Sequence, residues 1–396
     1  MIYFDSSFFD FRAMKDAIWN KNFLFLIFSN LLTYITYYAI LSALPIYLVN
    51  ELHTSKVQVG MIVGTYTVAS VLVRPFSGFT IDRFGRRIVF LLALVFYSLL
   101  LPGYLIALSI TSIIILRFAQ GLIWGFTTVS SSIIAVDITP ARKRGEGIGY
   151  FALSTTLGMS IGPVIGLFVC HKWGYTMLFI SASAMSLIGL ACGYAVSLRK
   201  RYVVGKRIHL HWDNLFDKNA AILSINVFIA MIAYGGLLSF IALFGCEIGI
   251  PNSSLFFLFY SLALSVSRFL LGKVFDREGP RGLMTWCMML LVIGFPLLAM
   301  AKNEWMFYIS AVIIGFGNGM IVPSFQSMIN NLADAAHRGA ANSTLYTAID
   351  LGMSVGMITA GIIAQHISLA AIFLINTLVC ALGLFVFRYR VLLFYE

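Results

Sequence analysis

Gly78-Phe-Thr-Ile-Asp82-Arg83-Phe-Gly85-Arg86-Arg87 returns 194 positions further on as Gly272-Lys-Val-Phe-Asp276-Arg277-Glu-Gly279-Pro-Arg281. The same offset, without a gap, pairs Arg74 with Arg268, Gly121 with Gly315, Gly125 with Gly319 and Arg144 with Arg338. It also pairs Leu157-Gly-Met-Ser-Ile-Gly162 with Leu351-Gly-Met-Ser-Val-Gly356. Chance does not hold such a register over roughly ninety residues, so one half of the chain is a copy of the other.

The copied unit is apolar. Hydrophobic residues make up 60% of the chain and charged residues 11%, with long apolar stretches between short polar breaks, which is the composition of a chain dissolved in lipid. A bilayer-spanning helix needs about 20 apolar residues. Twelve stretches qualify, near 22–49, 57–80, 88–108, 111–136, 147–170, 173–198, 219–245, 252–273, 283–301, 304–330, 340–363 and 367–388. Six fall in each copy. Strands of a membrane barrel would alternate polar and apolar residues over about ten positions, and these tracts do not. The expected fold is therefore an all-α membrane protein of two pseudo-symmetric six-helix bundles, residues 22–198 and 219–388. A segment 1–21, a basic linker 199–218 and a tail 389–396 complete it.

Charge sets the expected orientation. Of the 27 Lys and Arg, 21 lie at the ends and in the even-numbered breaks, Lys56, Lys172 and Lys302 lie in odd-numbered breaks, and Arg74, Arg117 and Arg268 lie inside spans. The positive-inside rule then puts both termini in the cytoplasm of a cell whose cytoplasmic membrane holds the chain. The net charge of +11 accordingly faces an anionic leaflet rather than nucleic acid. The run Arg199-Lys-Arg201 with Lys206 and Arg207 reads as a solvated linker. Phe8, Phe9, Phe11, Met14 and Ile18, interleaved with Asp10, Arg12, Lys15 and Asp16, suggest a short helix on the membrane surface. The first apolar stretch is too long for a cleavable signal core and is expected to stay as a span. The five Cys show no CxxC spacing and read as packing residues, and no metal site or cofactor is expected.

The stretch Gly78 to Arg87 resembles the loop motif Gly-x-x-x-Asp-Arg-x-Gly-Arg-Arg that joins helices 2 and 3 in the major facilitator superfamily. Arg117-Phe-Ala-Gln120-Gly121 resembles that family's Arg-x-x-Gln-Gly motif in helix 4. Gly158-Met-Ser-Ile-Gly162-Pro163-Val-Ile-Gly166 resembles its helix 5 antiporter motif, so the likeness is nearest to the twelve-helix drug/proton antiporter branch. The resemblance implies two bundles related by an axis along the membrane normal, with a central cavity opening alternately to either side.

Gly78 allows close helix approach and Gly85 a tight turn, while Arg83, Arg86 and Arg87 hold the loop on the charged side. By resemblance, Asp82 faces the positive N-terminal end of helix 11 near Gly339 to Asn342, and Asp276, followed by Arg277, does the same at helix 5 near Gly145. A carboxylate at a helix start is worth about 0.3 to 2 kcal/mol, a size that suits a gate broken in every cycle.

Three groups point to transport. Arg117 lies about six residues into span 4, roughly 9 Å deep, where a charge faces a wet cavity or snorkels to the interface. By resemblance it belongs to proton movement. Gln120 and Trp124 extend its stripe as a cavity wall. Asp350 lies near the middle of span 11, deeper than any other of the 16 acidic residues, and a carboxylate so desolvated is a natural proton carrier unless a buried hydroxyl or an Arg claims it. Asn342, Tyr346 and Asp350 share one face, while Gly352 and Gly356 lie opposite and are free to pack. Span 1 carries Asn30, Tyr34, Tyr37, Tyr38 and Ser42 but no acid, which argues against broad export of cations and for a neutral, amphipathic or zwitterionic substrate met by Tyr34 and Tyr38.

The copies diverge where function breaks symmetry: Arg117 answers to Ala311, Asp350 to Thr156, Glu146 to Ala340, Asp137 to Asn331 and Pro163 to Met357. Glycines at Gly158, Gly162 and Gly166 favour close helix crossing, and Pro163 is expected to kink the span. The leading reading is proton-coupled export of a small organic molecule by a monomer. Uptake or uniport of a sugar or organic acid on the same fold is the alternative. An enzyme or receptor is disfavoured, since no HExxH or GxSxG motif occurs and His209 with His211 makes a poor metal site.

Overall fold

A computed structural model describes residues 18–107, 109–140, 143–197, 217–332 and 338–395, leaving out the side chains at 78, 79, 82, 144–146, 273, 276, 278 and 338–340. Most of the expected surface helix before residue 18 and of the basic linker lies outside the described residues.

Among the described residues twelve long helices follow one another, with short helical pieces at Gly103–Ile106 and after Val386. The first half holds α1 (Lys21–Asn50), α2 (Lys56–Phe84), α3 (Arg86–Leu100), α4 (Ile110–Ile138), and α5 and α6, the two parts of the run Arg144–Ala195 on either side of Gly174. The second half holds α7 (Lys218–Glu247), α8 (Leu255–Glu278), α9 (Pro280–Ala299), α10 (Glu304–Gly319, continued by Ile321–Leu332), α11 (Arg338–His366) and α12 (Leu369–Val386). Eleven continuous stretches are long and apolar enough to cross a membrane, and the break at Gly174 makes two spans of one of them. No strand occurs among the described residues.

Local chemistry sets the ends. The first turn of a helix leaves N–H groups without partners, and side chains of Asn20, Asp217, Asn303 and Ser368 accept from the third residue on in α1, α7, α10 and α12. Ser55 and Gln58 form a reciprocal capping box on α2. Gly85 joins α2 to α3 at φ 95°, and Gly279, its equivalent 194 residues on, joins α8 to α9 at φ 74°. A side chain would be strained at either position, which explains why both copies keep glycine in these one-residue turns. The break between α5 and α6 also falls on a glycine of positive φ, Gly174 at 82°. The backbone stays helical through Pro163, so the sharp interruption of this run is at Gly174 and not at the proline.

The outside is apolar and the inside polar. Leu99, Phe269, Trp286 and Leu378 are each at least two-thirds exposed, while Asn30, Ser70, Arg74, Gln120, Asn226 and Asp350 are buried. Such an inversion suits a chain solvated by lipid.

Each half is held by the same crossing. A Cβ on Gly158 would lie 2.4 Å from Tyr34 Cβ, and one on Gly352 would lie 2.5 Å from the carbonyl of Phe228, the residue equivalent to Tyr34. Gly162 abuts Ile35 and Tyr38, and Gly166 abuts Ala39, while Gly356 abuts Ile232, the equivalent of Tyr38. Glycines therefore let α5 lie on α1 and α11 lie on α7 backbone to backbone. The halves meet along α2 with α11 and along α5 with α8.

Candidate functional site

The joint between α2 and α11 is continuous from the face of the bundle opposite the chain ends down to mid-depth. At that distal face Lys56 N–H donates to Gln365 Oε1 at 2.9 Å, and Lys56 Nζ lies 3.6 Å from Glu247. One turn deeper Gly60 meets the backbone of Met357 and Gly361, and below it Ser354 Oγ donates to Thr67 Oγ1 at 2.8 Å. At mid-depth Asp350 Oδ2 accepts from Ser70 Oγ at 2.8 Å and from Arg74 Nε at 2.5 Å.

This cluster is almost dry. Arg74 is 8% and Asp350 5% exposed. The Arg74 guanidinium also lies over the ring of Tyr346, 5.2 Å from its centre, so Tyr346 and Asp350, one turn apart on α11, both face the same cation. Asn342 does not join them: it accepts from Gln326 and donates to Asn330, both on α10, inside the second half.

The second joint, between α8 and α5, keeps the arginine of the first but not its partners: Leu264 and Ala152 stand where Ser70 and Tyr346 stand in the first. Arg268 Nη1 donates to Thr156 Oγ1 at 2.5 Å, and its Nε donates to the Gly319 carbonyl at 3.0 Å. Arg268 is the equivalent of Arg74 and Thr156 the equivalent of Asp350. The carboxylate is missing here.

Arg117 reaches neither interface nor Asp350. It is 1% exposed, its Cζ lies 4.9 Å from the centre of the Tyr66 ring, and its Nε and Nη2 have no hydrogen-bond partner among the described residues. Snorkelling is thereby ruled out, because the side chain is enclosed within the first half. Gln120 accepts from Tyr104 at 2.8 Å. Trp124 stacks on Tyr37 at 4.6 Å and meets Tyr34 edge-on at 4.9 Å. Asn30 donates to Ser154 and Thr155 of α5, which occupies it within the first half. Tyr38 meets Tyr234 of the second half across the middle, and Tyr234 stacks on Tyr260 at 6.0 Å.

Of the residues expected to line an open cavity, Asn30, Tyr38, Gln120 and Trp124 are buried, while Tyr34 and Tyr346 are half-buried. Tyr37, Tyr38, Trp124, Tyr234 and Tyr260 are each 6% exposed or less. Two hollows of about 430 and 380 Å³ both lie within the second half, the larger beside Ile232, Val355 and Asn376 and the smaller beside Arg281 and Trp286. Asp82 and Asp276, expected as gating acids, have side chains outside the described residues. Arg83 and Arg277 end α2 and α8, and Arg87 donates to the Tyr194 carbonyl.

Sequence reasoning marked Arg74 as an intramembrane cation but did not pair it, and it passed over Ser70, Tyr66, Tyr104, Tyr234 and Tyr260. The usable signal was charge scarcity, since one deep acid among three deep arginines requires that some arginine be its partner.

The family model of the Major Facilitator Superfamily matches residues 26–280 and 223–393. The staphylopine export protein of Staphylococcus aureus is 24% identical over 347 residues, covering 82% of this chain and 85% of that protein. The multidrug resistance protein MdtG of Erwinia billingiae is 25% identical over 378 residues, 91% of each. Among solved structures, the nucleoside transporter NupG superposes with a TM-score of 0.73 at 14% identity, over 93% of this chain and 100% of that one. A bacterial homolog of the human lysosomal transporter Spinster superposes with a TM-score of 0.77 at 14% identity, over 92% and 95%. At these identities the structural likeness concerns the fold.

Proposed function

Because the chain belongs to the major facilitator superfamily, we propose that it exports a small organic molecule across the cytoplasmic membrane in exchange for protons. It is a multi-pass membrane transporter of small-molecule substrates and not an enzyme.

The Ser70, Arg74 and Asp350 cluster carries the coupling reading. Both Ser70 Oγ and Arg74 Nε donate to Asp350 Oδ2 in the closed joint, and in this reading Arg74 and a proton are alternative partners of the carboxylate charge. Closing α2 on α11 therefore expels the proton, and parting them bares the carboxylate to the side that opens. With both termini in the cytoplasm, as the Lys and Arg distribution implies, the distal face is the outer one. A proton then loads from outside when the joint opens and leaves inward when Arg74 returns, while substrate moves the other way through the space lined by Tyr34, Tyr38, Trp124 and Tyr346. The names of the relatives, an export protein and a multidrug resistance protein, support the outward direction. In this reading Asp82 and Asp276 latch the terminal face, Arg117 biases the first half electrostatically, and one chain suffices.

The test uses everted membrane vesicles loaded with a pH-sensitive dye and challenged with a metabolite and drug panel. The wild type should release protons on addition of its substrate. Asp350→Asn should lose that release yet keep substrate exchange. Wild-type proton release from Asp350→Asn would remove the coupling role, and proton entry with the substrate would reverse the direction.

A further inference from the structure

At mid-depth the two joints share an arginine and differ in its partners. Arg74 has Asp350 and Ser70, whereas Arg268, in the equivalent place, has only the neutral oxygens of Thr156 and Gly319. No carboxylate lies within ion-pair distance of Arg268 among the described residues. Neutral acceptors satisfy N–H groups but leave the guanidinium charge uncompensated, and a charge inside the membrane is costly. Arg268 also differs from Arg117: it is only partly buried and stands at a joint between the halves, while Arg117 is enclosed within one half. Tyr260, Tyr234 and Tyr38 lie within electrostatic reach of it, and Asn318 donates to the Tyr260 hydroxyl at 2.7 Å.

We infer that the Arg268 and Thr156 joint is the anion subsite of the substrate, and that the transported molecule brings the carboxylate this joint lacks. A planar guanidinium prefers a planar oxyanion that it grips with two N–H groups, and the tyrosines fit an apolar or aromatic body attached to it. The substrate class is therefore a small organic carboxylate with an apolar portion. Each joint then closes on an arginine and a carboxylate, one belonging to the protein and discharged by a proton, the other carried by the substrate. This inference rests on the transporter reading but on neither its proton coupling nor its direction.

The test measures the melting temperature of the purified full chain in detergent with sodium benzoate, with benzamide, and with sodium chloride at matched ionic strength. Benzoate should raise the melting temperature with concentration and benzamide should not, because a ligand stabilises the state it binds. Arg268→Gln should lose the benzoate shift. Thr156→Asp should raise the melting temperature without ligand, by copying the Arg74 and Asp350 pair, and should also lose the shift. Equal shifts from benzoate and benzamide, no benzoate shift in the wild type, or a benzoate shift that survives Arg268→Gln would overturn the inference. Should Thr156→Asp fail to fold, Arg268→Gln decides alone. No proton gradient enters this assay, so its failure is separable from failure of the vesicle experiment.

Discussion

Thr156 accepts from Arg268 at 2.5 Å in the place where, 194 residues further on, Asp350 accepts from Arg74 at 2.5 Å. A duplicated fold has produced two joints around equivalent arginines, one paired with a carboxylate of the protein and the other, among the described residues, with neutral oxygens. An ion pair in a dry site is a poor source of stability but a sharp switch, because removing either charge strands the other. The asymmetry gives the two joints separate work.

The Arg74 and Asp350 pair should behave as a strongly coupled unit. Arg74→Gln strands a carboxylate and Asp350→Leu strands a guanidinium, and breaking a buried pair in this way costs about 3 to 5 kcal/mol. Arg74→Met combined with Asp350→Leu strands neither, so its melting temperature should lie above that of each single variant. Additive losses in this cycle would show that the two side chains do not share one interaction.

Much of this architecture is legible in the sequence. Spans of about 20 residues, the register of the copies and the glycine turns at Gly85 and Gly279 are local signals. The pairing of Arg74 with Asp350 is not local: 276 residues separate the partners, and only the docking of α2 on α11 brings them together. Tyr66 and Tyr260 were hidden for a different reason. Tyrosine is common in membrane helices as packing, and nothing along the chain shows that Gly121 and Gly315 each abut its backbone at these two equivalent positions. Whether Arg117 faced water or protein depended on neighbours from α2 and α3, which the sequence of α4 alone does not reveal.

Glycines at the helix crossings should tolerate no side chain. A Cβ on Gly356 would sit 2.1 Å from the Ile232 carbonyl and one on Gly121 would sit 2.1 Å from the Tyr66 carbonyl, and both obstacles are backbone. Gly356→Ala and Gly121→Ala should each cost about 1 to 3 kcal/mol through overpacking. Gly272 belongs to the repeated loop motif yet has nothing within 4 Å of its position. Gly272→Ala should change the melting temperature little or raise it, since alanine favours a helix by up to about 1 kcal/mol over glycine.

The proposed orientation can be read from two native cysteines. Cys246 is exposed near the end of α7 at the distal face, and Cys192 is partly buried near the end of α6 at the terminal face. In variants that keep one of them, a membrane-impermeant maleimide should label Cys246 in intact cells and Cys192 only after permeabilisation. The reverse pattern would invert the topology and with it the direction assigned to proton movement.

Arg117 separates stability from transport. Its Nε and Nη2 lack partners among the described residues at 1% exposure, and its charge is met by the face of Tyr66 and the hydroxyl of Tyr104 and not by a carboxylate. A cation held this way is retained at a cost, whereas methionine of similar length would lie against the same ring with no N–H left over. Arg117→Met should therefore match or exceed the wild type in melting temperature, by the equivalent of about 1 to 4 kcal/mol, while losing substrate-driven proton release in the vesicle assay. Gln120→Leu serves as the comparison, because it strands the Tyr104 hydroxyl and should lower stability by about 1 to 3 kcal/mol. An Arg117→Met protein that is more stable and transports at the wild-type rate would reduce the residue to an inherited burden. One that loses both stability and transport would mean that the guanidinium has a structural partner in some other state of the cycle.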